Sequence, residues 1–123
     1  MKKNKYSHKK FCFDIDGVIC KTINSNYEKS VPNKNVINMI NKLYKKGNKI
    51  KIFTSRYMGR SSENIKHVNK YKSVITKQLK KWNLKYNDLI IGKPSYDVFV
   101  DDKAFGFKKN WIKKFKKNYS KYL

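Results

Sequence analysis

The stretch Lys9-Lys10-Phe11-Cys12-Phe13-Asp14-Ile15-Asp16-Gly17 decides how this chain reads. Phe11, Cys12, Phe13 and Ile15 are apolar and β-prone, which predicts a strand over 9–15 that stops at Asp16-Gly17. Two carboxylates two residues apart then stand at a strand's carboxyl end. Three further apolar runs end in functional groups: 49–53 lead into Thr54-Ser55-Arg56, 89–91 into Gly92-Lys93-Pro94, and 98–100 into Asp101-Asp102. Residues 18–31 read as an irregular loop. Pro32-Asn33 suits a helix start, Val36, Met39, Ile40, Leu43 and Tyr44 follow at helical spacing, and Gly47 is placed to end that helix. A second amphipathic helix is expected over 64–82, with Val68, Tyr71, Ile75, Leu79 and Trp82 on one stripe. Strand, helix, strand, helix, strand, strand describes an α/β protein with a central, mainly parallel sheet. In such a sheet ligands bind outside the carboxyl ends of the strands, so the pattern gathers these functional groups at one edge.

The 123 residues carry 31 Lys plus Arg against eight Asp plus Glu, a formal net charge of +23. Half of the eight acids lie in the pairs Asp14/Asp16 and Asp101/Asp102, an arrangement that drift toward Lys does not produce easily. Hydrophobic residues at 39% and aromatics at 15% exclude a disordered chain despite a mean hydropathy of -0.83. The length supports one domain over 1–123, with a basic tail at 1–8 and a basic, aromatic C-terminal helix at 107–123. That helix places Phe107, Trp111, Phe115, Tyr119 and Tyr122 on one stripe, read as packing on the sheet in preference to a membrane-surface or nucleic-acid helix. No apolar run reaches bilayer length, and no apolar signal segment follows the basic start, so a cytoplasmic protein without a membrane span is expected. Cys12 is read as core and Cys20 as a free thiol, since no disulfide framework or CxxC pattern can be built from two cysteines so placed. His8 and His67 are read as surface residues, and the acceptor pattern Asn118-Tyr119-Ser120 carries no meaning without a secretory signal. The excess of Lys has two readings: a polyanionic partner such as nucleic acid, or codon composition that put Lys wherever a solvated surface tolerated it.

Carboxylate pairs at neighbouring strand ends suit a hard divalent cation such as Mg²⁺, which takes oxygen ligands and, with Lys93, would relieve their mutual repulsion. A Thr54 hydroxyl donor and the Lys93 point charge match a phosphoryl group. One Asp could attack phosphorus to form an aspartyl phosphate. A second, two residues on, could protonate the leaving oxygen and later activate water.

These residues resemble a known family. Phe13-Asp14-Ile15-Asp16-Gly17-Val18 resembles the first motif of the haloacid dehalogenase (HAD) superfamily, DxDGT, with Val18 where Thr is usual. Phe53-Thr54 resembles its second motif, Lys93 after 89–92 its third, and Val98-Phe99-Val100-Asp101-Asp102 its fourth. Over residues 9–106 there is a closer resemblance to the small, capless capsule-biosynthesis phosphatases, carried by Thr54-Ser55-Arg56, Ile90-Ile91-Gly92-Lys93-Pro94 and Val100-Asp101-Asp102-Lys103-Ala104. The resemblance implies a Rossmann-like three-layer sandwich without a cap, the gaps 18–31 and 95–96 being too short for one. It implies Asp14 as nucleophile and Asp16 as general acid/base. Thr54, Ser55 and Lys93 would bind the phosphoryl group, and Mg²⁺ would be held by Asp14, Asp16 and Asp101 or Asp102. Arg56 is either a contact to the substrate anion or a solvated loop arginine.

The implied function is a Mg²⁺-dependent phosphomonoester hydrolase acting on a sugar phosphate or related small metabolite. A polynucleotide 3′-phosphatase or nucleotide phosphatase is the alternative, because the +23 charge suits a nucleic-acid end. A non-catalytic, basic nucleic-acid-binding protein on the same fold is a third reading. A site without a cap would take a large substrate end or be covered by a second copy in a homo-oligomer.

Overall fold

The computed structural model describes residues 8–59 and 64–123. Residues 1–7 of the basic tail and 60–63 of the loop after the second predicted strand lie outside the described residues. Strand β1 (Lys10–Phe13) alternates, with Phe11 and Phe13 inward and Lys10 and Cys12 outward. Cys12 is therefore exposed, a correction to its expected core position: period-two alternation put the two larger phenyl rings inside and left the thiol on the other face. The stretch expected to be an irregular loop holds a small antiparallel pair, β2 (Cys20–Lys21) with β3 (Val31–Pro32), spanning a 3-10 turn at Tyr27–Lys29.

Helix α1 (Lys34–Lys45) starts where the side chain of Asn33 accepts from the Val36 N–H at 3.3 Å, and it buries Val36, Ile37, Met39, Ile40 and Leu43. Its end is a Schellman motif. The Gly47 N–H donates to Tyr44 O at 3.0 Å and the Asn48 N–H to Leu43 O at 3.1 Å, with Gly47 at φ 95°, a conformation that favours glycine. Asn48, 2% exposed, then joins three parts of the chain. Its Oδ1 accepts from Lys9 N, and its Nδ2 donates to Leu43 O and to Tyr122 O, all within 3.0 Å.

Strand β4 (Lys49–Thr54) buries Ile50, Ile52 and Thr54 and pairs in parallel with β1 on one side. On the other side it pairs in parallel with β5 (Asp88–Ile91), in the order β1-β4-β5. The helix expected over 64–82 is two helices, α2 (Ile65–Asn69) and α3 (Lys72–Lys81). No glycine or proline breaks it. The i to i+3 bonds of the turn, Lys70 N–H to His67 O and Tyr71 N–H to Val68 O, let Tyr71 stack on Tyr57 at 4.0 Å and 7°, a tertiary contact that overrides the continuous stripe. Asn83 at φ 58° closes α3 as Gly47 closes α1, with Leu84 N–H on Leu79 O.

The fourth expected strand, 98–100, does not form. Val98 is 78% and Val100 90% exposed, and Phe99 packs on Tyr96 at 5.1 Å with the rings tilted by 34° instead of joining a sheet. Of the helix expected over 107–123, α4 covers Trp111–Asn118 and a 3-10 turn follows at Ser120–Tyr122, while Phe107, 57% exposed, precedes the helix in coil. As expected of the aromatic stripe, Phe115 packs on Phe11 and Phe13 of β1, with ring centroids at 5.7 and 5.8 Å. Phe105, Tyr119 and Tyr122 extend that cluster. The fold is thus mixed α/β around a three-stranded parallel sheet. Among the described residues no helix is long and apolar enough to cross a membrane.

Candidate active site

The carboxyl ends of β1, β4 and β5 lie side by side, with Phe13 level with Ile52 and Thr54 level with Ile91. Asp14 follows β1 directly. Its carboxylate accepts from the Ile15 N–H at 2.7 Å, and its other oxygen faces Lys93 Nζ at 3.5 Å. Lys93 reaches this position because Gly92, at φ 88°, turns the chain where a Cβ would collide with the Ile65 side chain. The Lys93 N–H then extends the ladder to Thr54 O at 3.1 Å.

Lys93 is buried, and its ammonium lies 5.1–5.7 Å from the ring centroids of Phe53, Tyr96 and Phe99. Burial pushes the Asp14 carboxyl above the usual carboxylate range, and the charge of Lys93 and the Ile15 N–H only partly offset it. Burial alone would lower Lys93, but hydrogen bonding to Tyr96 and the charge of Asp14 together raise it. Thr54 is fully buried, and its Oγ1 accepts from the Arg56 N–H at 3.1 Å, which leaves its own O–H as a donor.

Asp16 is held differently. Arg56 Nε donates to its Oδ2 at 3.0 Å and Nη2 to its Oδ1 at 2.9 Å, and the Thr22 O–H donates to Oδ1 at 2.5 Å. Arg56 is 2% exposed and so is not a solvated loop arginine. Its Nη1 donates to Gln78 Oε1, its Nη2 to Ser30 Oγ, and its guanidinium lies 4.8 Å from the Tyr27 ring centroid. Gln78 in turn donates to Tyr27 O at 2.7 Å. Sequence reasoning missed Thr22, Tyr27, Ser30 and Gln78. Only the fold makes them neighbours, and the sole local hint is Gln78, an amide where α3 otherwise presents mostly lysines to solvent.

The structure therefore brings Asp14, Asp16, Thr54, Ser55, Arg56 and Lys93 to one sheet edge. Asp101 and Asp102 do not stand at a strand end. Both are exposed in the coil that replaces the expected strand, where Asp101 Oδ1 accepts from the Lys103 N–H at 2.8 Å. Among the described residues no three His, Cys, Asp or Glu stand together as a metal-binding group. The Asp16 carboxylate is engaged by Arg56 and the Asp14 carboxylate by Lys93. Burial also pushes the Cys20 thiol up, which disfavours the thiolate a cysteine nucleophile needs.

A cavity of about 380 Å³ opens beside Asp16, lined by Thr22, Ser25, Tyr27, Ser55, Gly59 and Ser95. A second, of about 230 Å³, lies behind Arg56 between Tyr27, Tyr57 and α3. No protein-family model and no curated protein matches the chain. A crystal structure of an MCSG target from Vibrio cholerae is similar to it, with 26% sequence identity, a TM-score of 0.72, and coverage of 89% of this chain and 98% of that one.

Proposed function

We propose that the protein is a phosphomonoester hydrolase of the capless HAD type, on a Rossmann-like three-layer α/β sandwich, acting on a sugar phosphate or related small metabolite through an aspartyl phosphate. The observation that carries the reading is the Asp14–Lys93 pair at 3.5 Å. A partly desolvated carboxylate there faces a buried cation at the carboxyl edge of a parallel sheet, with the Thr54 hydroxyl on the adjacent strand end.

In this reading Lys93 and Thr54 bind the phosphoryl oxygens and offset the charge that develops on them. In this turnover Asp14 enters as the carboxylate and Asp16 as the carboxylic acid: an Asp14 oxygen forms a bond to phosphorus as the ester P–O bond breaks, and the proton carried by Asp16 passes to the departing oxygen. Asp16 then removes a proton from a water that attacks phosphorus. The Asp14–phosphorus bond breaks, phosphate leaves, and both carboxyl groups return to their starting states. Both Asp16 oxygens accept from Arg56 in the structure, so each transfer begins with this carboxyl leaving the ion pair.

Mg²⁺ dependence belongs to the reading through the family resemblance alone. The polynucleotide 3′-phosphatase alternative rests on the net charge alone. Phosphate release by wild type and Asp14→Asn, each with Mg²⁺ or EDTA, tests the proposal. The expected result is turnover of an aryl phosphate by wild type and a loss of at least about a thousandfold in the folded variant. Near-normal turnover by Asp14→Asn would overturn it.

A further inference from the structure

We infer that the cavity behind Arg56 is a second anion site, separate from the sheet edge, which takes a phosphate-sized oxyanion and loosens the guanidinium's hold on Asp16. The site stands on the geometry of Arg56, and its effect on turnover rests on the hydrolase reading.

A guanidinium carries five N–H donors and no acceptor. In Arg56 the Nε–H and one Nη2–H go to Asp16, the other Nη2–H goes to Ser30 Oγ with Cys20 Sγ at 3.6 Å beside it, and one Nη1–H goes to Gln78 Oε1. The second Nη1–H has no acceptor among the described residues, although Arg56 is only 2% exposed. Leaving a buried, charged donor unpaired is costly, so such a position calls for an acceptor from outside the chain. Arg56 and Gln78 line a cavity of about 230 Å³ that Asp16 does not line, which places the cavity on the Nη1 side of the guanidinium.

Lys77 and Lys81, one turn apart on α3, line the same cavity, with Glu28 as the carboxylate of the described lining. None of these three is in an ion pair among the described residues. Even with the charge of Arg56 balanced by Asp16, two ammonium groups stand against one carboxylate. An oxyanion would accept from the open Nη1–H and draw charge-assisted hydrogen bonds from the two flexible lysines. The volume lies below the usual range for organic ligands, which suits a single oxyanion with its waters.

Both Asp16 oxygens accept from Arg56, and Asp16 leaves that pair whenever it moves a proton. Its departure strands a buried guanidinium without a counter-charge. An anion on the Nη1 side supplies one, so Asp16 is released at lower cost and turnover rises.

The test titrates isotope-labelled protein with sodium sulfate at constant ionic strength and follows the Arg56 Nε–H and Gln78 side-chain amide resonances. The expected result is a saturable shift of both, with the affinity weakened at least about tenfold in Lys77→Gln/Lys81→Gln, which alters two exposed side chains away from the sheet edge. Absent or unsaturable shifts, or an equal affinity in the double variant, overturn the site. Sulfate also competes at the proposed phosphoryl position, so its effect on aryl phosphate hydrolysis is read at saturating substrate. There kcat should rise at least about twofold in the wild type and stay level in the double variant. Saturable shifts with a level or falling kcat overturn the coupling to Asp16. No hydrolysis, with the shifts intact, removes the hydrolase reading and leaves the anion site standing.

Discussion

Lys93 and Asp14 show how a single pair links stability to the proposed chemistry. Because burial raises Asp14, the native state keeps a proton there at pH values where the unfolded chain, with its carboxyl near 3.8, has released it. Folding stability therefore falls as pH rises from about 4 through the elevated value. Lys93 offsets part of that fall, and it can do so only when Asp14 is ionised. Lys93→Met should cost little stability at pH 4 and roughly 1–3 kcal/mol at pH 7.5. Urea denaturation at the two pH values measures this, and an equal loss at both would show that Lys93 stabilises something other than the Asp14 carboxylate. The same lysine is proposed to meet the phosphoryl group, so the variant should also lose activity at neutral pH. Arg56, by contrast, holds its partner so completely that its contribution is positional: Gln78, Ser30 and Tyr27 fix the guanidinium, and the guanidinium fixes Asp16.

Among the elements, caps and turns set boundaries more firmly than apolar stripes do. Asn33 and Gly47-Asn48 delimit α1 from local chemistry, and the periodicity of 36–43 agrees with them, so this helix was legible in the sequence. The stripe over 64–82 was equally regular, yet the Tyr57–Tyr71 stack split it. Residues 98–100 are as β-prone as any in the chain, but a strand needs a hydrogen-bonding partner, and Phe99 found Tyr96 and the Lys93 ammonium instead. Asn48 shows how one polar side chain couples elements, since it satisfies Lys9 N ahead of β1, Leu43 O in α1 and Tyr122 O in the last turn. Asn48→Ala leaves these buried groups without that partner and should cost roughly 2–4 kcal/mol in urea unfolding. Limited proteolysis should then cut first near residues 119–123. A variant as stable as the wild type would mean that water replaces all three bonds.

At the scale of the whole molecule, charge and burial work against each other. A net charge of +23 on 123 residues repels itself in the compact state, and the ion pairs among the described residues involve only Asp14, Asp16 and Asp88. Raising NaCl from about 0.05 to about 0.5 M shortens the screening length from roughly 14 to roughly 4 Å and should raise Tm by several degrees. A Tm unmoved by salt, followed by circular dichroism, would mean that the unfolded chain is repelled as strongly as the folded one.

The local pattern by itself determined the parallel pairing of three strands, the first helix and the gathering of Asp14, Asp16, Thr54 and Lys93 at one edge. Alternation, capping residues and the direction of parallel strands are properties of short stretches of chain. Tertiary structure alone decided that Cys12 faces outward, that one long stripe becomes two helices, that Asp101 and Asp102 lie in coil and not at a strand end, and that Arg56 serves Asp16 from the interior. Each of these turns on which distant group competes for the same side chain: Phe11 and Phe13 for the space under β1, Tyr57 for Tyr71, Lys93 for Phe99, and Gln78, Ser30 and Tyr27 for the guanidinium. Such competition is settled by packing across the fold, and no window of neighbouring residues contains it.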